Sequence, residues 1–273
     1  MKKLVFIYLI FGSLALFSQN KKADKILKEG KLLYRLEKAS WYGTDDFLVR
    51  FKDLTSNIGG YVSYETDGNK VNTVFFDKYI NKVIVRYTFD EVPKEIPIKI
   101  DTINRVITEL EKNLFKIRQD AKNKMIENKD DFFKFYKNTS PNFIPVITKN
   151  KKQVFILTGP QKSGIVLIGN DYLLKYNKKN KFKSKEKIHN SILEFKYKSK
   201  NKKKPLVSTY HSHIVTDFIT STDICTLLLY KDYIEWKQHT VMSKKWVSIF
   251  DLQKENLIIL KMKAWKKINN LKK

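Results

Sequence analysis

Apolar residues recur every three or four positions along part of this chain and alternate with polar ones along several other stretches, and the two rhythms predict different elements. Val106, Leu110, Leu114, Ile117, Ala121 and Met125 mark one long amphipathic helix running to about Asn128, with a core-facing stripe. Ile26, Leu27, Leu32, Leu33 and Leu36 predict a shorter helix over Ala23 to Glu37. Between them, Asp46 to Phe51, Gly60 to Glu65, Val74 to Phe76 and Lys82 to Phe89 are rich in β-branched and aromatic residues and read as strands. Gly59-Gly60 and Asp67-Gly68-Asn69 are the turn signals.

The second half is β-patterned around one further helix. Gln153 to Gly159 and Ile165 to Leu174, separated by the turn Gln161-Lys-Ser-Gly164, predict a hairpin. Asn177 to Lys187 and Ser199 to Lys204 are Lys-rich loops flanking a strand at Ser191 to Tyr197. Val207 to Ile214 is a strand, Thr220 opens a helix, and strands follow at His239 to Ser243, Trp246 to Leu252 and Leu257 to Leu260. The fold class is α+β, with a β-rich region at 19–140 that ends in the long helix and a second region at 141–273.

The amino terminus follows another pattern. Lys2 and Lys3 precede an apolar run from Leu4 to Phe17, and polar Ser18-Gln19-Asn20 follows, the order of a secretory signal peptide over 1–18. The expected location is secreted or periplasmic, an uncleaved anchor being the rival reading, and no later stretch is apolar enough to span a membrane. About 255 residues remain, enough for a sizeable core. The only cysteine is Cys225, which excludes an internal disulfide framework and a Cys-rich zinc ribbon.

A formal charge of +26 raises the question of nucleic acid. Arginine, the residue suited to bidentate base and phosphate contacts, occurs only at 35, 50, 86, 105 and 118, so no specific nucleic acid is expected. The lysines read as a solvated surface or as a weak attractor of anionic polymers.

Chemistry concentrates late in the chain. His211 and His213 alternate on a strand, so both rings point to one face, and Asp223 follows ten residues later at a helix start. Two imidazoles and a carboxylate with an open position suit Zn²⁺. Thr220-x-x-Asp223 equally suits a helix cap, with no metal involved. His189 reads as an additional ligand or as a hydrogen-bonded loop residue, and His239 as an ordinary strand-edge residue. In the first half, Trp41, Tyr42, Asp45 and Asp46 form an aromatic and acidic patch that fits a sugar site or a core anchor.

The segment His211-Ser-His213, six residues, then Thr220-Ser-Thr-Asp223 resembles the JAMM motif, His-x-His-x7-Ser-x-x-Asp, of the JAB/MPN family of metalloproteases. The likeness covers about 153–262. It implies an α/β/α-type domain with a mixed sheet, zinc held by His211, His213 and Asp223, and hydrolysis of an amide bond in a peptide or protein substrate. Thr220, or Ser221 if the loop is counted differently, takes the place of the family's oxyanion-stabilising Ser. The loop is one residue short, and Lys152 and Gln153 stand where the family carries its general-base Glu. Glu194 or Glu37 is then the candidate carboxylate, or the site is a degenerate, inactive relative. The alternative from another class is a non-catalytic envelope or secreted binding protein with a Lys-rich surface.

Overall fold

The computed structural model describes residues 2–102, 104–197 and 207–270, with side chains from residue 21 onward, so the basic stretch Ser199 to Lys204 lies outside the described residues. The protein is α+β, and it divides into two compact units. The first comprises 33–163 and 167–193, and the second 1–32, 164–166 and 194–273. Helix α1 (Lys2–Arg50) contributes to both in turn.

In the first unit, β1 (Ile58–Glu65), β2 (Val71–Asp77), β3 (Lys82–Phe89) and β4 (Lys99–Asp101) form an antiparallel sheet in that order, and β5 (Arg105–Val106) also pairs with β3. Gly68 and Asn69 turn β1 into β2 with φ of 72° and 60°, as the Asp-Gly-Asn signal predicts. The Gly59-Gly60 pair is not a turn but a bulge within β1, where a Cβ on Gly60 would lie 2.7 Å from the Phe115 ring.

The predicted long helix is α2 (Glu109–Glu127), opened by a capping box between Thr108 and Glu111 and closed by Asn128 in the left-handed conformation. Two members of the predicted stripe fall outside its buried face, since Val106 lies in β5 ahead of the helix and Leu110 is exposed on the first turn, and the rest serves two cores. Leu114 packs with Val62, Val74, Phe76 and Val83 of the first sheet. Ile117, Ala121 and Met125 pack with Val154, Ile156, Tyr172 and Leu174 of a second sheet. That sheet runs β10 (Phe182–Lys187), β9 (Tyr172–Tyr176), β7 (Lys151–Pro160) and β6 (Thr139–Thr148), all antiparallel.

Four local expectations change. Asp46 to Phe51 ends α1 rather than forming a strand: the buried series Leu33, Leu36, Ala39, Gly43 and Phe47 keeps helical spacing, and Asp46 bonds Arg50 one turn on at 2.8 Å. The hairpin that involves β7 is made with β6, across Lys149-Asn150. The intervening β8 (Ile165–Gly169) is not β7's partner, which is β9. The Asn177 to Lys187 stretch is a loop only to residue 181, after which β10 pairs with β9.

The second unit follows β11 (Ile192–Lys196) with β12 (Ser208–Ser212), α3 (Ser221–Tyr230), β13 (Gln238–Met242), β14 (Trp246–Asp251), β15 (Asn256–Lys261) and α4 (Met262–Asn270). Its four-stranded sheet is mixed: β12 and β13 are parallel, and β14 and β15 continue antiparallel. Parallel neighbours require a crossover, and α3 supplies it. Residues 221–229 of α3 are all buried, Cys225 among them. Gly30 of α1 lets the two helix backbones approach, since a Cβ there would stand 2.5 Å from Ile224 Cβ and 3.0 Å from the Ser221 carbonyl oxygen.

Glu111 couples the first unit's stability to pH. Its side chain is fully buried, and its carboxylate accepts from Arg105 Nη1 at 2.8 Å, from the Thr108 N–H at 2.8 Å and from Tyr64 Oη at 2.6 Å. Burial pushes this carboxyl up, but the bonds from Arg105, Thr108 and Tyr64 outweigh it and bring it from 4.5 down to about 2. A depressed folded pKa gives stability that is complete above the unfolded value and is lost as pH falls through the folded one. Urea unfolding should therefore show stability declining between about pH 4.5 and pH 2, with a shallower decline in Glu111→Gln. Thermal denaturation of Gly30→Ala should show a loss of about 1–3 kcal/mol from overpacking against α3; an unchanged midpoint would mean that the close approach carries no cost.

Candidate metal centre

Strand alternation turns His211 and His213 to the same face of β12, as expected, and both are buried. Asp223, in the first turn of α3, is 1% exposed and meets them. The ligand atoms of the three residues lie within 4.8 Å of one another. His211 Nε2 is 2.7 Å from His213 Nε2, His213 Nε2 is 3.4 Å from Asp223 Oδ2, and His211 Nε2 is 3.9 Å from Asp223 Oδ1. A tetrahedral zinc ion with bonds of about 2.0–2.2 Å sets its ligand atoms about 3.3–3.5 Å apart, and the three separations bracket that spacing. The donor set therefore fits a divalent cation.

The capping reading of Thr220-x-x-Asp223 holds at the same time. Asp223 Oδ2 accepts from both the Thr220 N–H and Thr220 Oγ1 at 2.8 Å, while the Asp223 N–H donates back to Thr220 Oγ1 at 3.2 Å. This closes a reciprocal box at the positive end of α3. The box fixes the carboxylate's rotamer, and it commits the Thr220 hydroxyl to Asp223. Ser221 is buried at the first helical position.

The imidazole orientations follow from which groups can donate. His213 Nδ1 lies 2.8 Å from the Phe218 carbonyl oxygen, which can only accept, so Nδ1 carries the proton and a neutral His213 presents Nε2 as a lone pair. Thr216 Oγ1 also stands 2.7 Å from that nitrogen. On the other side, His211 Nδ1 is 2.8 Å from His239 Nε2, and His239 Nδ1 is 2.7 Å from Thr209 Oγ1. This row of rings has two consistent proton arrangements. With His211 protonated on Nε2, it donates to His213, and Thr209 and His239 donate toward it. With His211 and His239 both in the other tautomer, His211 donates from Nδ1 to His239, His239 donates to Thr209, and two lone pairs face each other across 2.7 Å, an arrangement that calls for a cation between them. Both arrangements hold the same number of protons, so the site offers two imidazole ligands without a change in net charge.

His239 was expected to be a strand-edge residue, and that is corrected. It sits in β13, between β12 and β14, and is 0% exposed. Burial, followed by the neighbouring His211, lowers its pKa to about 3, so the ring is neutral near pH 7. Phe195 and Trp236 pack around it with centroids 6.2 and 6.5 Å away. Its register in β13, opposite Thr209, places it there, and no local sequence pattern reveals that register.

Glu194 is exposed on β11, the neighbour of the residue, Phe195, that packs on His239. His189 belongs to the first unit, buried with its Nδ1 3.2 Å from Asp171. Glu37, also in the first unit, is buried and accepts from Trp41 Nε1 at 2.8 Å. Burial raises its carboxyl to about 7, against the pull of that bond and of Arg118. The Trp41 and Tyr42 rings cover the buried Lys38 ammonium at 5.7 and 5.0 Å, so they serve the interior of this unit. Of the two residues at the position where the resemblance expects a base, Lys152 bonds Asn180 at 2.6 Å and Gln153 is buried on β7.

A cleft of about 480 Å³ opens on His213, lined also by Ile214, Thr216, Asp217, Met242 and Lys244 among others. Of the buried group, His213 is the member that lines this space of ligand size.

No protein-family model matches this chain, no curated protein matches it, and no solved structure matches it.

Outer partners that hold a ligating histidine commonly change metal affinity by about 10–100-fold when removed. Competition with a chromophoric chelator should show a loss of that order for Zn²⁺ in His239→Leu. His239→Gln, which restores a polar atom toward His211 Nδ1, should recover part of it.

Proposed function

We propose that the second unit is a divalent-metal centre of JAMM type, with His211, His213 and Asp223 as protein ligands and zinc as the ion, and that it hydrolyses amide bonds in peptide or protein substrates. The observation that carries this reading is the convergence of three buried donors whose orientations are set independently, by the Phe218 carbonyl, by His239 and by Thr220. The path from β12 through the short loop into α3 and back to a parallel β13 supports the resemblance as well.

A bound zinc ion would supply Lewis acidity toward water and a carbonyl oxygen. The chain's own residues would supply the rest. His213 stands at the mouth of the cleft, and the capping box keeps Asp223 from rotating away. Asp217 is the carboxylate that lines the cleft, so it takes the acid–base role that the resemblance assigns to a Glu; Glu194 is exposed on β11. We assign the work to an exported protein, on the strength of the Lys2-Lys3 start and the apolar run to Phe17. Among the described residues, no helix is long and apolar enough to cross a membrane.

A second reading, a non-catalytic binding protein, is favoured by Lys244 and Lys245, which line the same cleft. Elemental analysis of the purified protein after zinc reconstitution and gel filtration separates the two. One zinc per chain is expected in the wild type and in Asp217→Asn, and none in His213→Ala. A folded wild type that retains no zinc would leave the histidines as a hydrogen-bonded core and make the binding protein the better account.

A further inference from the structure

Lys244 and Lys245 line the cleft on His213. The same two lysines line a second hollow of about 520 Å³, whose walls also include Trp246, Lys261, Lys263 and Lys266. The two spaces share the β13–β14 turn, and the Met262 N–H donates to the Lys245 carbonyl at 2.8 Å, tying the start of α4 to that turn. Taken together as one groove, the two hollows present five lysines against one acid, Asp217. None of the five makes an ion pair with an acid among the described residues, while Lys31 and Lys231 elsewhere in the unit both pair with Glu255.

We propose that this groove binds an acidic peptide segment and leads it to the metal centre, so that substrates carry Asp or Glu residues on one side of the bond to be cut. The substrate class rests on the metal-centre reading, but the groove's binding does not. Three features select a peptide over other anions. The cations are all lysines, mobile point charges that suit single carboxylates at variable positions, whereas bidentate phosphate recognition favours arginine. The aromatic ring in the groove, Trp246, packs on Phe218 with centroids 5.1 Å apart and is half-buried, so it does not offer an open face for base stacking. Next to His213, Ile214 is 91% exposed at the cleft wall, an apolar contact for a side chain near the reacting bond.

The test uses the full chain, metal-free in chelator and again zinc-loaded, with a fluorescein-labelled polyglutamate peptide containing one central leucine. Anisotropy should show binding in both forms that weakens as salt rises. Lys244→Glu with Lys261→Glu should weaken it by about tenfold or more. Lys178→Glu with Lys179→Glu, reversing two exposed lysines of the first unit, should leave it unchanged. Circular dichroism confirms that the variants fold. Equal weakening by both pairs would overturn the proposal, as a response to net charge alone. So would single-stranded DNA of matched charge competing with the same sensitivity to Lys244 and Lys261. No peptide binding by a protein that takes up one zinc would remove the groove and keep the metal centre. Binding by a protein that takes up no zinc would do the reverse.

Discussion

A carboxylate buried at the start of a buried helix is costly unless its neighbours hold it, and Asp223 is held from several sides. The Thr220 hydroxyl and N–H both donate to it, the helix end behind it is positive, and two imidazoles face it. The capping box defines where α3 begins, that starting point determines the return to β13 as a parallel neighbour of β12, and the parallel register sets His239 behind His211. Gly30 admits α1 against the same first turn. The helix cap and the ligand set are one arrangement, because the rotamer that caps α3 also directs the carboxylate at the rings.

The histidine row shows how a buried polar cluster can be complete and still receptive. Each ring nitrogen has a partner, the row ends on a hydroxyl at one side and a carbonyl at the other, and His211 and His239 can exchange tautomers without changing the charge. A hydroxyl both donates and accepts, so Thr209 can terminate either arrangement. The carbonyl of Phe218 cannot, and it pins His213 with a lone pair toward Asp223. The low-dielectric surroundings that keep His239 neutral would make an additional buried charge expensive, and this row avoids introducing one.

What could be read along the chain was what depends on neighbours in sequence. The α2 stripe, the His-x-His alternation, the Thr220-x-x-Asp223 start and the Asp67-Gly68-Asn69 turn were all legible, because helix period, strand pleat, capping and positive φ are decided within a few residues. Asp46 to Phe51 misled because its alternation is short, while the helical spacing that overrides it begins more than a turn earlier at Leu33. The hairpin of β7 misled because a good turn sequence at 161–164 does not determine which flanking strands pair, and β6 offers β7 a partner of equal length.

By itself the sequence determined the α+β class, the long helix with its caps, and the placing of two imidazoles and one carboxylate where a strand, a loop and a helix start could join them. Only the tertiary structure decided that they do join, that His239 stands behind them in the middle of a sheet, and that lysines from the β13–β14 turn and α4 share one groove beside His213. The physical reason is the range over which each property is set. Backbone conformation answers to adjacent residues, whereas burial, proton placement and the field of a groove are sums over groups that meet only when strands pair and helices pack.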